Sequence, residues 1–154
     1  LKTWNKEIDV GLTGAMLCSK IIGKEIIKSK VDGIILNIAS DLSVIAPNQN
    51  LYKNKKFTFK KPVTYSVIKH GIVGLTKYLA TYWCNNRIRV NALSPGSVFN
   101  NQPLAFQKKI KKLIPLNRMA KKEDYVGTVM YLCSDASSYM TGQNIVVDGG
   151  RSIW

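Results

Sequence analysis

Acidic side chains are scarce in this sequence: 9 Asp and Glu stand against 23 Lys and Arg, a formal net charge of +14 over 154 residues. A basic surface gathers phosphates by releasing their counterions, so a nucleic-acid partner has to be considered. The lysines, however, are spread over KEIIKSK, YKNKKFTFKK and FQKKIKK, and no zinc-finger, zipper or RNP-type pattern accompanies them. A solvated lysine surface is the expectation, with nucleic-acid binding as a minor alternative testable by a steep salt dependence. Histidine is represented by His70 alone, and Cys18, Cys84 and Cys133 are odd in number and widely spaced. Disulfide scaffolds and metal sites are therefore poorly supported. No apolar run approaches the roughly 18 to 20 residues that span a bilayer, and the start lacks the basic-then-apolar form of a secretory signal. A cytoplasmic protein without a membrane partner is expected.

What is present is ordinary globular composition, 45% hydrophobic and 21% charged, on a length suited to one compact domain. Apolar residues from Trp4 to Ile27 recur at intervals of three and four, which predicts a long helix over 2–29, locally weakened by Gly11, Gly14 and Gly23. GIILNIA, 33–39, is a short isoleucine-rich run bounded by turn residues and reads as a strand buried on both faces. Residues 41–61 lack periodicity and read as a long loop. A second helix is expected over 63–83, opened by Pro62. RIRVNAL, 87–93, and QNIVV, 143–147, read as further strands. Between them LAFQKKIKKLI and KEDYVGTVMYLCSD read as helices, the second opening on Glu123 and Asp124, where negative charge complements the helix dipole. Strands alternating with helices imply a parallel sheet between helical layers, which places ligands at the carboxyl ends of the strands.

That rule gives weight to YSVIKHG, 65–71. Tyr65 and Lys69 are four residues apart in a helix and share a face, so a phenol and an ammonium are presented to one place. A nearby positive charge favours the ionised phenol, which suits such a pair to general acid-base work on the oxygen of an alcohol or carbonyl while a hydride moves at its carbon. A hydroxyl such as that of Ser40, at the end of the first strand, is placed to hold that oxygen. Spacing alone decides little, because Tyr52 and Lys56 show it too. YKNKKFTFKK offers no apolar helical face, whereas YSVIKHGIVGLTKYLA leads into the second strand. His70 points to another part of the helix, where a surface role is expected.

GIILNIAS, YSVIKHGIVGLTKYLA, RIRVNALSPGSV and TGQNIVVDGG, in that order, resemble consecutive blocks of the short-chain dehydrogenase/reductase family, with a finer likeness to its flagellin-modification and sugar-biosynthesis members. The resemblance covers nearly the whole chain. It implies an α/β fold, the carboxyl-terminal part of a doubly wound, Rossmann-like parallel sheet flanked by helices, with 1–154 a single partial domain. It further implies an NAD(P)-dependent oxidoreductase that interconverts an alcohol and a ketone, on a small polar or sugar-like substrate, and that assembles as a dimer or tetramer through its two long helices. By the same resemblance Tyr65 is the acid-base catalyst, Lys69 supports it and binds the nicotinamide ribose, and Ser40, or less suitably Ser43, orients the substrate. Ile38, Ala39, Pro95, Gly96, Ser97 and Val98 would line the cofactor site, NAD or NADP, and Asn100 stands where many members carry threonine.

Three departures from the family pattern accompany the likeness. Ser40 and Tyr65 are separated by roughly a dozen residues more than is usual, an insertion suited to shaping substrate choice. Gly11 occupies the place where many members carry an asparagine that acts partly through its main-chain carbonyl at a helix kink. No glycine-rich phosphate turn joins a strand to a helix, and the sequence opens on Leu1 inside an amphipathic pattern. A chain that is the carboxyl-terminal half of a longer protein is expected, with a hydrophobic sheet edge exposed at its first strand and no competent cofactor site of its own. The competing reading is a non-catalytic fragment or degenerate homologue that serves as a partner-binding module.

Overall fold

The structure is a computed structural model that describes residues 1–53 and 60–154. Helix α1, Lys2–Ile8, continues through a π-helical turn, Asp9–Thr13, into α2, Gly14–Ser29. The predicted single helix is thus one rod with a local widening, in which the Gly14 N–H donates to the Asp9 carbonyl five residues back. The first strand, β1, is Gly33–Ile38. The stretch read as a loop contains two short 3₁₀ turns, Asp41–Ser43 and Gln49–Leu51. Then come α3, Val63–Tyr82, β2, Ile88–Pro95, α4, Leu104–Lys111, α5, Val126–Leu132, and β3, Asn144–Val147. The predicted helix at 122–135 begins as a 3₁₀ turn, Lys122–Tyr125, before α5. No helix of the described residues is long and apolar enough to cross a membrane.

The three strands form a parallel sheet in the order β1, β2, β3. Gly33 to Ile38 pair in step with Ile88 to Leu93, and Ala92 to Pro95 pair with Asn144 to Val147. This second pairing carries β2 two residues beyond its predicted end, so Pro95 and Gly96 leave the sheet already aligned with β3. Val90 and Ala92, in the central strand, are fully buried. The expectation of a first strand buried on both faces is not met: Ile34 and Ile38 are 38% and 51% exposed, because β1 is an edge of the described sheet. The exposed hydrophobic edge is the feature that the family likeness implied.

Three apolar clusters hold the layers together. Leu79 and Ala80 of the second long helix, with Trp83 just past its end, pack on Ile88 and Val90, and Trp83 also fills the space over Gly23, where a Cβ would stand 2.4 Å from the indole. Leu93 packs with Tyr125 and Leu132 on the other face. Leu51, from the long connection, is buried with Ile110, Ile114 and Met119, so the connection is anchored to α4 by a core residue. Beside this region Arg118 clamps Asp124 with two hydrogen bonds of 2.6 and 2.9 Å, and the Lys121 N–H adds a third at 2.7 Å. These bonds, the arginine's foremost, lower the Asp124 carboxyl to about 2. A depressed carboxylate stabilises the fold above the ordinary value and stops doing so as pH falls through the folded one. A side-chain carboxyl titration by NMR is expected to place the Asp124 midpoint near 2, and Arg118→Ala to return it towards 3.8.

Candidate active site at the carboxyl ends of β1 and β2

Tyr65 lies in the first turn of α3, and Lys69 one turn later reaches the carbonyl of Ile38, the last residue of β1, with a hydrogen bond of 2.9 Å. The Lys69 Nζ is 5.8 Å from the centre of the Tyr65 ring. A helical i, i+4 pair is therefore tied by its lysine to the tip of a strand. Two residues beyond Ile38, the buried Ser40 caps the turn Asp41–Ser43: its Oγ accepts from the Leu42 N–H at 3.2 Å and donates to Asp41 Oδ1 at 3.0 Å. Among the described residues no hydrogen bond joins Ser40 to Tyr65. Ser43 is committed elsewhere, its hydroxyl 2.9 Å from that of Ser94, which donates to Asn144 at 2.6 Å. This network ties the turn after β1 to the end of β2 and to the first residue of β3.

Asp41 has a second partner that the sequence pattern did not signal. Arg151, in the turn after β3, donates to Asp41 Oδ2 at 2.6 Å, and the two side chains are only 7% and 4% exposed. One carboxylate thus holds the Ser40 hydroxyl with one oxygen and an arginine with the other. Tyr52 ends the turn Gln49–Leu51 and packs on Phe106, with ring centres 5.8 Å apart. Burial raises its phenol above the usual value. Tyr52 is not helical, so spacing puts no lysine on a shared face, and Lys56 lies outside the described residues. His70 is exposed and contacts the Ser66 carbonyl within its own helix.

The 95–98 segment continues the sheet: the Gly96 N–H donates to Val147 at 2.9 Å, and Val98 forms a parallel bridge with Ala120. A Cβ on Gly96 would lie 2.6 Å from the Asp148 Cα. Gly96→Ala is expected to push β2 away from β3 and to destabilise the protein by about 1–3 kcal/mol, read by thermal unfolding. Tyr125 packs under this segment, and burial foremost pushes its phenol up to about 12; its hydroxyl lies against the Gly96 main chain without a well-formed hydrogen bond. Asn100 is exposed, its N–H taken by Gln102. The groups present suit the nicotinamide-ribose end of a dinucleotide: Lys69 for hydroxyls, the main chain that leaves β2 after Pro95, though its Gly96 N–H and its Ser97 and Val98 carbonyls are already bonded within the protein, and Ile38 for an apolar ring face. Ala39 is buried, and its N–H is taken by the Leu93 carbonyl. Among the described residues no turn with three closely spaced glycines joins a strand to an α-helix for the pyrophosphate.

Gly11 sits in the π-helical turn, and a Cβ there would stand 2.9 Å from two carbons of Ile68 on α3. The widened turn thus persists without asparagine, and Ile68 occupies the side-chain position. Gly11 and Tyr65 line one cavity of 510 Å³ between the first and second long helices. Above Tyr65 lies a further cation, Lys61, with its Nζ 3.6 Å from the ring centre. Burial lowers both lysines from their ordinary values.

The family profile described as Enoyl-(Acyl carrier protein) reductase matches residues 1–152. The chain is 36% identical over 155 residues to the NAD-dependent glycerol dehydrogenase of Listeria innocua, covering 97% of this chain and 56% of that protein. It is 37% identical over 145 residues to the post-translational flagellin modification protein A of Campylobacter coli, with 94% and 56% covered. Among solved structures it superposes on a short-chain dehydrogenase from Leptospira borgpetersenii with bound NAD+, at a TM-score of 0.90 and 37% identity, covering 97% of this chain and 56% of that one. The chain belongs to the short-chain dehydrogenase/reductase family. It spans about half the length of these relatives.

Proposed function

We propose that this chain is the part of an NAD(P)-dependent oxidoreductase that holds the proton-transfer residues for interconverting an alcohol and a ketone. The observation that carries the reading is the helical Tyr65–Lys69 pair, anchored by Lys69 to the carbonyl of Ile38 at the strand tip. Bound there, the nicotinamide supplies or accepts the hydride. Tyr65 gives a proton to the developing alkoxide of a ketone, or takes one from an alcohol. Lys69 holds positive charge beside the phenol and offers its remaining protons to ribose hydroxyls. Ser40 orients the substrate oxygen by turning its hydroxyl away from Asp41, and the main chain of Pro95, Gly96, Ser97 and Val98, with Ile38 and Ala39, lines the nicotinamide side. Of the relatives named above, one is by name an NAD-dependent glycerol dehydrogenase and one carries a bound NAD+, which supports a small polar or sugar-like substrate and a nicotinamide cofactor.

Residues 1–154 form one partial domain in this reading, and the exposed apolar residues of the two long helices, Leu17, Ile21 and Val67 among them, are the surfaces for a dimer or tetramer. The test is turnover of simple alcohols and ketones with NAD or NADP by the full-length gene product, with Tyr65→Phe as the paired variant. Turnover that persists unchanged in the variant overturns the assignment.

A further inference from the structure

The inserted connection between Ser40 and Tyr65 ends in a fixed point. The Lys61 N–H donates to Gln49 Oε1 at 2.9 Å, and Gln49 Nε2 donates back to the Lys61 carbonyl at 3.3 Å. One side chain therefore satisfies both main-chain groups of Lys61 and sets where its own side chain starts. That side chain runs over Tyr65, where its ammonium meets the ring face at 3.6 Å. It is half-buried, and among the described residues it forms no ion pair. Residues 54–59 contain neither Asp nor Glu. The nearby carboxylate, Asp41, is already bonded to Arg151 and Ser40. Lys69 differs, because its ammonium is used by the Ile38 carbonyl. A half-buried cation that contacts a ring face, and whose nearby carboxylate is already bonded to another cation, is under-compensated, and an incoming anion completes it.

We propose that Lys61 is a specificity-determining residue that seats a compact oxyanion of the substrate, a carboxylate or phosphate, beside the phenol of Tyr65. This rests on the reading of Tyr65 as the proton-transfer group. The insertion thereby does more than lengthen the chain: it delivers a charge to the reacting end of α3. Arginine at 61 retains the role with its forked donors, whereas methionine and glutamine fill the space over the ring without charge. The cation–π contact by itself requires no ligand, so it makes a different prediction from the anion seat.

The test is a titration of the full-length protein with inorganic phosphate, with acetate and with neutral glycerol, tracked by NMR at the Tyr65 ring and the Lys61 side chain. Saturable shifts with phosphate or acetate but not with glycerol are expected, and the tighter of the two anions names the group. Lys61→Met and Lys61→Gln are expected to weaken that binding at least about tenfold, the equivalent of one charge-assisted hydrogen bond. Lys61→Arg is expected to retain it, and thermal unfolding identifies whichever neutral variant remains folded. Equal anion binding by a folded neutral variant, or equal shifts with glycerol, overturns the proposal. Tyr65→Phe separates the two readings. Anion binding that survives in this variant while turnover is lost supports both. Loss of turnover in a protein that never binds the anions overturns the Lys61 assignment alone, and unchanged turnover with anion binding intact overturns only the catalytic role of Tyr65.

Discussion

Replacing Tyr65 by phenylalanine is expected to lower turnover by about 10²–10⁴-fold, the usual contribution of a positioned general acid or base. The variant removes one oxygen and keeps the ring, so the packing of Tyr65 against Lys61 and in the cavity shared with Gly11 persists. Unfolding temperature is expected to change little, which isolates the chemistry from the fold. The effect should fall on kcat and kcat/KM together, because the lost proton transfer belongs to the transition state. Steady-state kinetics with either nicotinamide cofactor measures it. A decrease confined to KM would instead make the phenol a binding group.

The largest expected loss of stability comes from Arg151. Arg151→Ala leaves the buried Asp41 carboxylate facing its 3.0 Å bond from Ser40 without its cation. Removing one member of a buried pair costs about 3–5 kcal/mol, because the remaining charge is stranded out of water. At this chain length that is a fall in unfolding temperature of roughly 10 °C or more. The double variant Asp41→Asn with Arg151→Met removes both charges, and it is expected to recover much of the loss. Thermal unfolding of the two variants measures the difference. If the single variant unfolds at the original temperature, water reaches the pair and it is not a buried one. Function is expected to suffer in the single variant as well, since Asp41 opens the turn that positions Ser40 at the end of β1.

The local elements were legible because each carries its own period or punctuation. The isoleucine run at 33–39 and the Pro62-led apolar helix fell within a residue or two of their final bounds, and spacing alone placed Tyr65 and Lys69 on one face. What the sequence concealed is what depends on register between distant strands. Asp41 and Arg151 are 110 residues apart, and Ser43 and Asn144 are 101 apart. Only the parallel pairing and register of the three strands makes neighbours of them. Tyr125 falls inside a predicted helix with nothing in the pattern to single it out, and only its packing with Leu93 sets it against Gly96. Gly11 was recognised as a departure, but the widened turn it occupies depends on a five-residue hydrogen bond that no composition reveals. Lys61 was one lysine in a basic run until the Gln49 bonds distinguished it.

Those two bonds also decouple the insertion from the helix that carries Tyr65. Because Gln49 grips the main chain of Lys61 at both its N–H and its carbonyl, differences in length or composition between them need not move Tyr65. Loop length changes closure entropy only slowly. Leu51 and Tyr52 remain tied to the core and to Phe106, so only the sequence beyond them, ahead of Lys61, is free to be rewritten as an exchangeable cassette while the start of the Tyr65 helix keeps its place.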